Sequence, residues 1–174
     1  MKRSEITVLP EYFDRYINLV EDIELVVALE RSYSALTTLD LARMEQLGDK
    51  VYAPGKWTVR DIFQHLVDTE RILSYRALRF ARKDRTPLPG FDENNFAEAS
   101  PANTRNLEDI INELKIVRQS SLLMCKSFDD GAMNRVGVSS NKEISVVAIG
   151  FTIVGHQAHH LAVIERLYIP LLGH

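Results

Sequence analysis

Apolar residues recur along this chain at spacings of three and four in four long stretches, each the mark of a helix that buries one stripe. The first stretch runs from about Asp22 to Leu39 and carries Leu25, Val26, Leu29, Tyr33 and Leu36. Ahead of it, Pro10 opens a short helical segment that continues to Ile17, since proline suits a first helical turn. Gly48 and the Ala53-Pro54-Gly55-Lys56 run interrupt the pattern. The second helix is predicted from Val59 to about Lys83, with Ile62, Phe63, Leu66, Val67, Ile72, Leu73 and Phe80 inward. Thr58, with Asp61 three residues on, supplies a capping box at its start.

A third helix follows Asn106 as cap, presents Leu107, Ile110, Ile111, Leu114, Val117, Leu122 and Leu123, and ends near Phe128 at Asp129-Asp130-Gly131. The fourth opens after Ser145, spans Val146 to about Tyr168, and is stopped by Pro170. Between helices two and three, residues 84–105 hold Pro87, Pro89, Gly90, Pro101 and the polar run Asp92-Glu93-Asn94-Asn95, and read as one long loop. A loop of that length is more often functional than idle. Residues 134–143 are turn-rich and suit a small hairpin. The pattern predicts an all-α, four-helix-bundle domain covering 1–174, with a short N-terminal helix and a long loop between helices 2 and 3.

Composition narrows this picture. At 174 residues, 45% hydrophobic and 26% charged, the chain can bury a core without staples. A formal charge of -3 gives no electrostatic grip on nucleic acid or an anionic membrane surface. Cys125 is the single cysteine, which excludes an internal disulfide and a cysteine-built zinc site, and it reads as a small buried hydrophobe. The segment Met1 to Pro10 lacks the apolar core and cleavage site of a signal peptide. Polar residues from His156 to Arg166 interrupt the apolar C-terminal run, against a simple membrane span. The expected location is the cytoplasm.

The chemistry concentrates in Gly155-His156-Gln157-Ala158-His159-His160-Leu161. His156 and His160 are four apart, so both imidazoles leave one face of the helix and are spaced to share a metal. His65, on helix two at the border of its apolar stripe, is the histidine available as a third ligand. Three imidazoles with an open position are the pattern of a catalytic metal centre. Spacing alone does not separate this reading from three ordinary core histidines. No Glu-x-x-His pair of a di-iron bundle is present, and Gln157 stands where a zincin would carry its glutamate base.

Two motifs add to this. Lys56-Trp57-Thr58-Val59-Arg60-Asp61-Ile62-Phe63-Gln64-His65-Leu66 resembles the Trp-Ser/Thr-x6-His-Leu signature of the DinB-like (DinB/YfiT-type) superfamily, and His156-x-x-x-His160 resembles its second signature on the last helix. The resemblance covers roughly residues 22–170. It implies a four-helix bundle, usually dimeric, holding a divalent metal, typically nickel or zinc, on three histidines. Carried over, the ligands are His65, His156 and His160; His159 matches no ligand position and is left as a supporting, dimer-contact or solvated residue.

The resemblance implies enzymes that join low-molecular-weight thiols to electrophiles, thiol-dependent isomerases, and metal-dependent hydrolases. The reading favoured here is a metal-dependent transferase with a thiol cosubstrate, with a hydrolase using metal-activated water nearly level. A non-catalytic, metal-bound stress protein is the alternative of another class. Asp61, Asp68 and Glu70 near His65 are expected to orient an imidazole or to be solvated charges, less often a catalytic base. Arg76, eleven residues after His65 on the same helical face, is either a clamp for a carboxylate or a surface salt bridge. Asn94 and Asn95 are placed at the pocket mouth, and Trp57 and Tyr75 in the core or at the rim. The expected partners are a small-molecule substrate and a second copy of the chain, with no nucleic acid and no membrane.

Overall fold

The computed structural model describes residues 1–173. Its helices are α1 (Asp14–Ile17), α2 (Leu25–Thr37), α3 (Leu41–Glu45), α4 (Val59–Ala81), α5 (Glu93–Ala99), α6 (Leu107–Lys126), α7 (Asp130–Met133) and α8 (Val146–Val163). A hairpin of β1 (Val136–Ser139) and β2 (Lys142–Ser145) precedes α8, with Gly137 opposite Ile144 and Val138 opposite Glu143.

The long helices α2, α4, α6 and α8 form a four-helix bundle. Both α2 and α4 pack against α6 and α8, so α2 and α4 face each other across the bundle, while α1 lies on α8. Caps fix the starts. Thr58 and Asp61 form the reciprocal capping box of α4, Asn106 accepts from the Glu108 amide, and the Ser145 hydroxyl accepts from that of Ala148.

Several expected boundaries move. The first long helix stops at Thr37, and α3 follows as a separate short helix capped by Asp40. The stretch 84–105 is not one loop: Asp92 accepts the amides of Asn94 and Asn95 and so starts α5, and a 3-10 turn spans Ala102–Thr104. A run of Asx-type residues reads as loop when its capping geometry is not known. Asp129 ends no helix; it caps α7. Pro170 does not terminate the chain's helical path, which passes through a π turn (Ile164–Tyr168) into a 3-10 turn (Ile169–Leu172).

The core falls into two apolar clusters. One gathers Ile17, Leu25, Leu29, Leu73, Phe80, Ile149 and Phe151; the other gathers Leu36, Phe63, Leu66, Leu107, Ile110, Leu114 and Ile164. Between them each long helix contributes buried polar residues: Ser32 from α2, Thr69 and Glu70 from α4, Arg118 and Ser121 from α6, His156 and Gln157 from α8. The Arg118 guanidinium donates to both oxygens of Glu70, at 2.8 and 2.9 Å, and also to the Ser32 hydroxyl. Gln157 donates to the Ser32 carbonyl at 2.8 Å. This layer links all four helices at the waist of the bundle. By length and hydropathy Val146–Leu172 could cross a membrane, yet 67% of its most apolar window is buried inside the bundle.

Candidate metal centre

At this waist, on the α4–α8 side, three imidazoles converge. His156 Nε2 lies 3.0 Å from His65 Nε2 and 3.1 Å from His160 Nε2, and the potential ligand nitrogens of all three lie within 4.8 Å of one another. The convergence follows from local rules. The Thr58 cap fixes the register of α4, so position 65 faces α8, and His156 and His160 sit one turn apart on one face of α8. Gly155 lets α1 settle against α8: a Cβ there would stand 1.9 Å from the Tyr16 carbonyl oxygen. Tyr16 thereby sets its ring edge-on to His156, with centroids 5.0 Å apart. On the other side Trp57 covers His65 at 4.7 Å and lies near-parallel to His160 at 6.5 Å.

Electrostatics keep the three rings neutral. Burial holds the His65 pKa down to about 4, and burial, then proximity to His65 and His159, brings that of His160 to about 3. His156 is pushed well below its ordinary range by burial, then by His160 and His65. Neutral imidazole is the form that binds a metal. The Thr69 hydroxyl lies 3.3 Å from His65 Nδ1, and when it accepts that N–H it leaves the Nε2 lone pair facing the cluster.

The donor set fits a metal ion. Each neutral Nε2 carries either one hydrogen or one lone pair. His156 Nε2 therefore cannot make full hydrogen bonds to both neighbouring nitrogens, whereas one cation satisfies all three lone pairs. Two nitrogens bound to one metal at roughly 2.0–2.1 Å stand about 2.8–3.4 Å apart for right-angle to tetrahedral geometry. The two short separations here lie in that range.

His65 and His156 line a cavity of about 300 Å³, whose walls also include Tyr16, Thr69, Arg76 and Phe91. His160 lines a second cavity of about 250 Å³ on the Trp57 side, together with Asn94, His159 and Tyr168. The three-histidine cluster thus stands between two cavities.

The remaining expected residues scatter. Asn95 is exposed and lines neither cavity, because its place on α5 commits its amide to Asp92 and turns its side chain outward. Arg76 is buried, not on the surface, and donates to the Pro89 carbonyl at 2.6 Å. None of the three nearby carboxylates reaches His65. Asp61 is used in the α4 cap and by Asn103, Asp68 accepts from Gln64, and Glu70 is held by Arg118. His159 is exposed, edge-on to Tyr16 and His160. Tyr75 is exposed too, while burial pushes the Cys125 thiol up to about 12 and leaves it inert.

Residues missing from the sequence reading are Tyr16, Thr69, Phe91 and Lys142. Thr69, at His65 plus four, was legible as a neighbour on the same face; nothing local marks the other three.

A family model described as the DinB superfamily matches residues 26–164. The chain belongs to the DinB superfamily. A protein of Oceanobacillus iheyensis, provisionally named a metal-dependent hydrolase, is 29% identical over 122 residues, covering 67% of each chain. Among solved structures, YfiT from Bacillus subtilis, described as a probable metal-dependent hydrolase with an unusual four-helix bundle topology, superposes with a TM-score of 0.69 at 19% identity. That match covers 94% of this chain and 89% of YfiT, and at this identity it concerns the fold. This superfamily member shares the bundle and carries the three-histidine cluster that a metal-dependent enzyme needs.

Proposed function

We propose that this protein is a metal-dependent hydrolase in which Nε2 of His65, His156 and His160 hold one divalent transition metal, zinc or nickel. The observation that carries the reading is the convergence of three neutral imidazoles, His156 buried and His65 and His160 half-buried, beside a cavity walled by His65 and His156 that is large enough for a small molecule. The names borne by the Oceanobacillus protein and by YfiT support hydrolysis as the reaction class. When bound, the ion supplies Lewis acidity, which polarises a substrate bond and makes a water or thiol acidic near neutral pH.

The chain's own residues do the rest. Thr69 orients His65, and Tyr16 and Trp57 fix the rings from opposite sides. Burial keeps the imidazoles neutral. No carboxylate is held against the cluster among the described residues: Asp61, Asp68 and Glu70 are engaged elsewhere, so the chain places no paired general base beside the histidines.

A second reading, thiol transfer to an electrophile with a low-molecular-weight thiol cosubstrate, is favoured by the two cavities flanking the cluster. Two reactants need two places. A dimer in the cytoplasm belongs to either proposal. The deciding experiment offers zinc- and nickel-loaded protein a panel of esters and amides, and separately an electrophile with and without a small thiol. Turnover that needs metal but no thiol supports the hydrolase. Turnover that appears only with thiol replaces it with the transferase, and metal-independent turnover overturns both.

A further inference from the structure

We infer that Arg76 is the anion-anchoring residue of the cavity beside His65 and His156, and that the substrate is an elongated small molecule bearing a carboxylate. This rests on the proposed function for the reacting end of the molecule but not for Arg76's own ligand.

The argument begins with what Arg76 lacks. Its helix neighbour Arg79 is paired with Asp84, and Arg118 with Glu70. Arg76 is 4% exposed, yet among the described residues no carboxylate lies within 4.0 Å of it. It donates to the Pro89 carbonyl and lies over the face of Phe91, whose centroid is 6.0 Å away. Burial alone pulls its pKa below the ordinary arginine value, with no anion opposing the shift. A guanidinium offers five N–H donors in a planar fork suited to a carboxylate. Retaining a buried cation with one carbonyl for company is costly unless something else arrives to pair with it.

The second observation is placement. His65, Thr69, Leu73 and Arg76 all line the cavity, one stripe of α4 at steps of four, four and three. Eleven residues of helix rise about 16 Å, and an arginine side chain leans back toward the helix N-terminus, here toward His65. The cavity therefore has a charged end at Arg76, an apolar and aromatic middle at Leu73 and Phe91, and the histidines at the other end. The other charges do not cancel Arg76. Lys142 is already paired with Glu11, and Glu93, which also lines the cavity, forms no ion pair with Arg76 within 4.0 Å. One unpaired guanidinium matches a monoanion.

The test uses the whole chain stripped of metal with a chelator, so that a carboxylate cannot register by ligating the ion. Hexanoate and 4-phenylbutyrate, each beside its neutral amide, are titrated by calorimetry into wild type, Arg76→Gln and Arg76→Lys. Wild type should bind each acid about tenfold or more tightly than its amide. Arg76→Gln should lose that preference and Arg76→Lys should keep part of it. Should Arg76→Gln fail to fold, the Arg76 Nε–Hε resonance in wild type decides: it should shift with the acids and not with the amides. Absence of binding, equal binding of acid and amide, or a preference that survives in Arg76→Gln would overturn the inference. Zinc uptake by the same wild-type protein is scored separately. A chain that takes no zinc but prefers the acids defeats the metal reading alone, and a chain that takes zinc but shows no preference defeats the Arg76 assignment alone.

Discussion

Gly155 of α8 and Tyr16 of α1 touch backbone to backbone, so closely that a Cβ on residue 155 would lie 1.9 Å from the Tyr16 carbonyl oxygen. Backbone cannot swing aside as a side-chain tip can. Gly155→Ala should therefore displace α1 from α8 and cost about 1–3 kcal/mol by overpacking, more than its gain in helix propensity of about 1 kcal/mol. Urea denaturation measures this; an unchanged or raised midpoint would show that α1 is not seated against α8 as described.

The waist of the bundle gives a sharper energetic prediction. Glu70 and Arg118 are 3% and 1% exposed and joined by two hydrogen bonds. Removing one partner strands a buried charge, so Arg118→Met should destabilise by about 3–5 kcal/mol. Replacing both, as in Glu70→Leu with Arg118→Met, should cost much less, because desolvation of the pair disappears along with its attraction. Denaturant midpoints of the single and double variants test this, and a double variant as unstable as the single would contradict it.

How much of this was legible in the sequence differs from residue to residue. The caps at Thr58, Asn106 and Ser145 and the pairing of His156 with His160 depend on neighbours within four positions, and they appear in the structure where the sequence places them. The polar layer was not legible. Whether Glu70 meets solvent or Arg118 depends on a helix 48 residues away, and Gln157, which stands where a zincin carries its glutamate base but cannot take up a proton, is the tether to Ser32. Arg76 shows the same limit: helical spacing gave its face, but only the packing of residues 88–91 over it decides between a surface ion pair and a buried, unpaired guanidinium. Asp92 is ambiguous in sequence because an Asx cap and an Asx turn look alike there.

The histidine cluster makes the metal-free protein sensitive to acid. The folded pKa values of His65 and His160, about 4 and about 3, lie below the unfolded value of about 6.5. The unfolded chain therefore binds more protons as pH falls below about 6.5, and stability is lost with acidification through the folded values. Each histidine held neutral contributes a slope of about 1.4 kcal/mol per pH unit in that window. Melting temperatures of the chelator-treated protein from pH 8 down to about 4 should fall more steeply than those of His65→Ala. Equal slopes would argue against imidazoles held neutral in the fold.

Thr69 offers a test of how the cluster is tuned. Its hydroxyl, 3.3 Å from His65 Nδ1, favours the tautomer with a free Nε2. Thr69→Val keeps the shape and removes the acceptor, and should weaken metal binding about 10–100-fold with little change in fold. Competition against a chromophoric chelator measures it, and an unaltered affinity would remove Thr69 from the site.

The most direct test of the central claim is the metal content of purified protein, by elemental analysis after equilibration with zinc or nickel, for wild type beside His65→Ala and His156→Ala. The convergence of His65, His156 and His160 predicts about one ion per wild-type chain and a large loss in both variants, one on α4 and one on α8. A wild type that takes up neither metal, or variants that retain the ion in full, would contradict it.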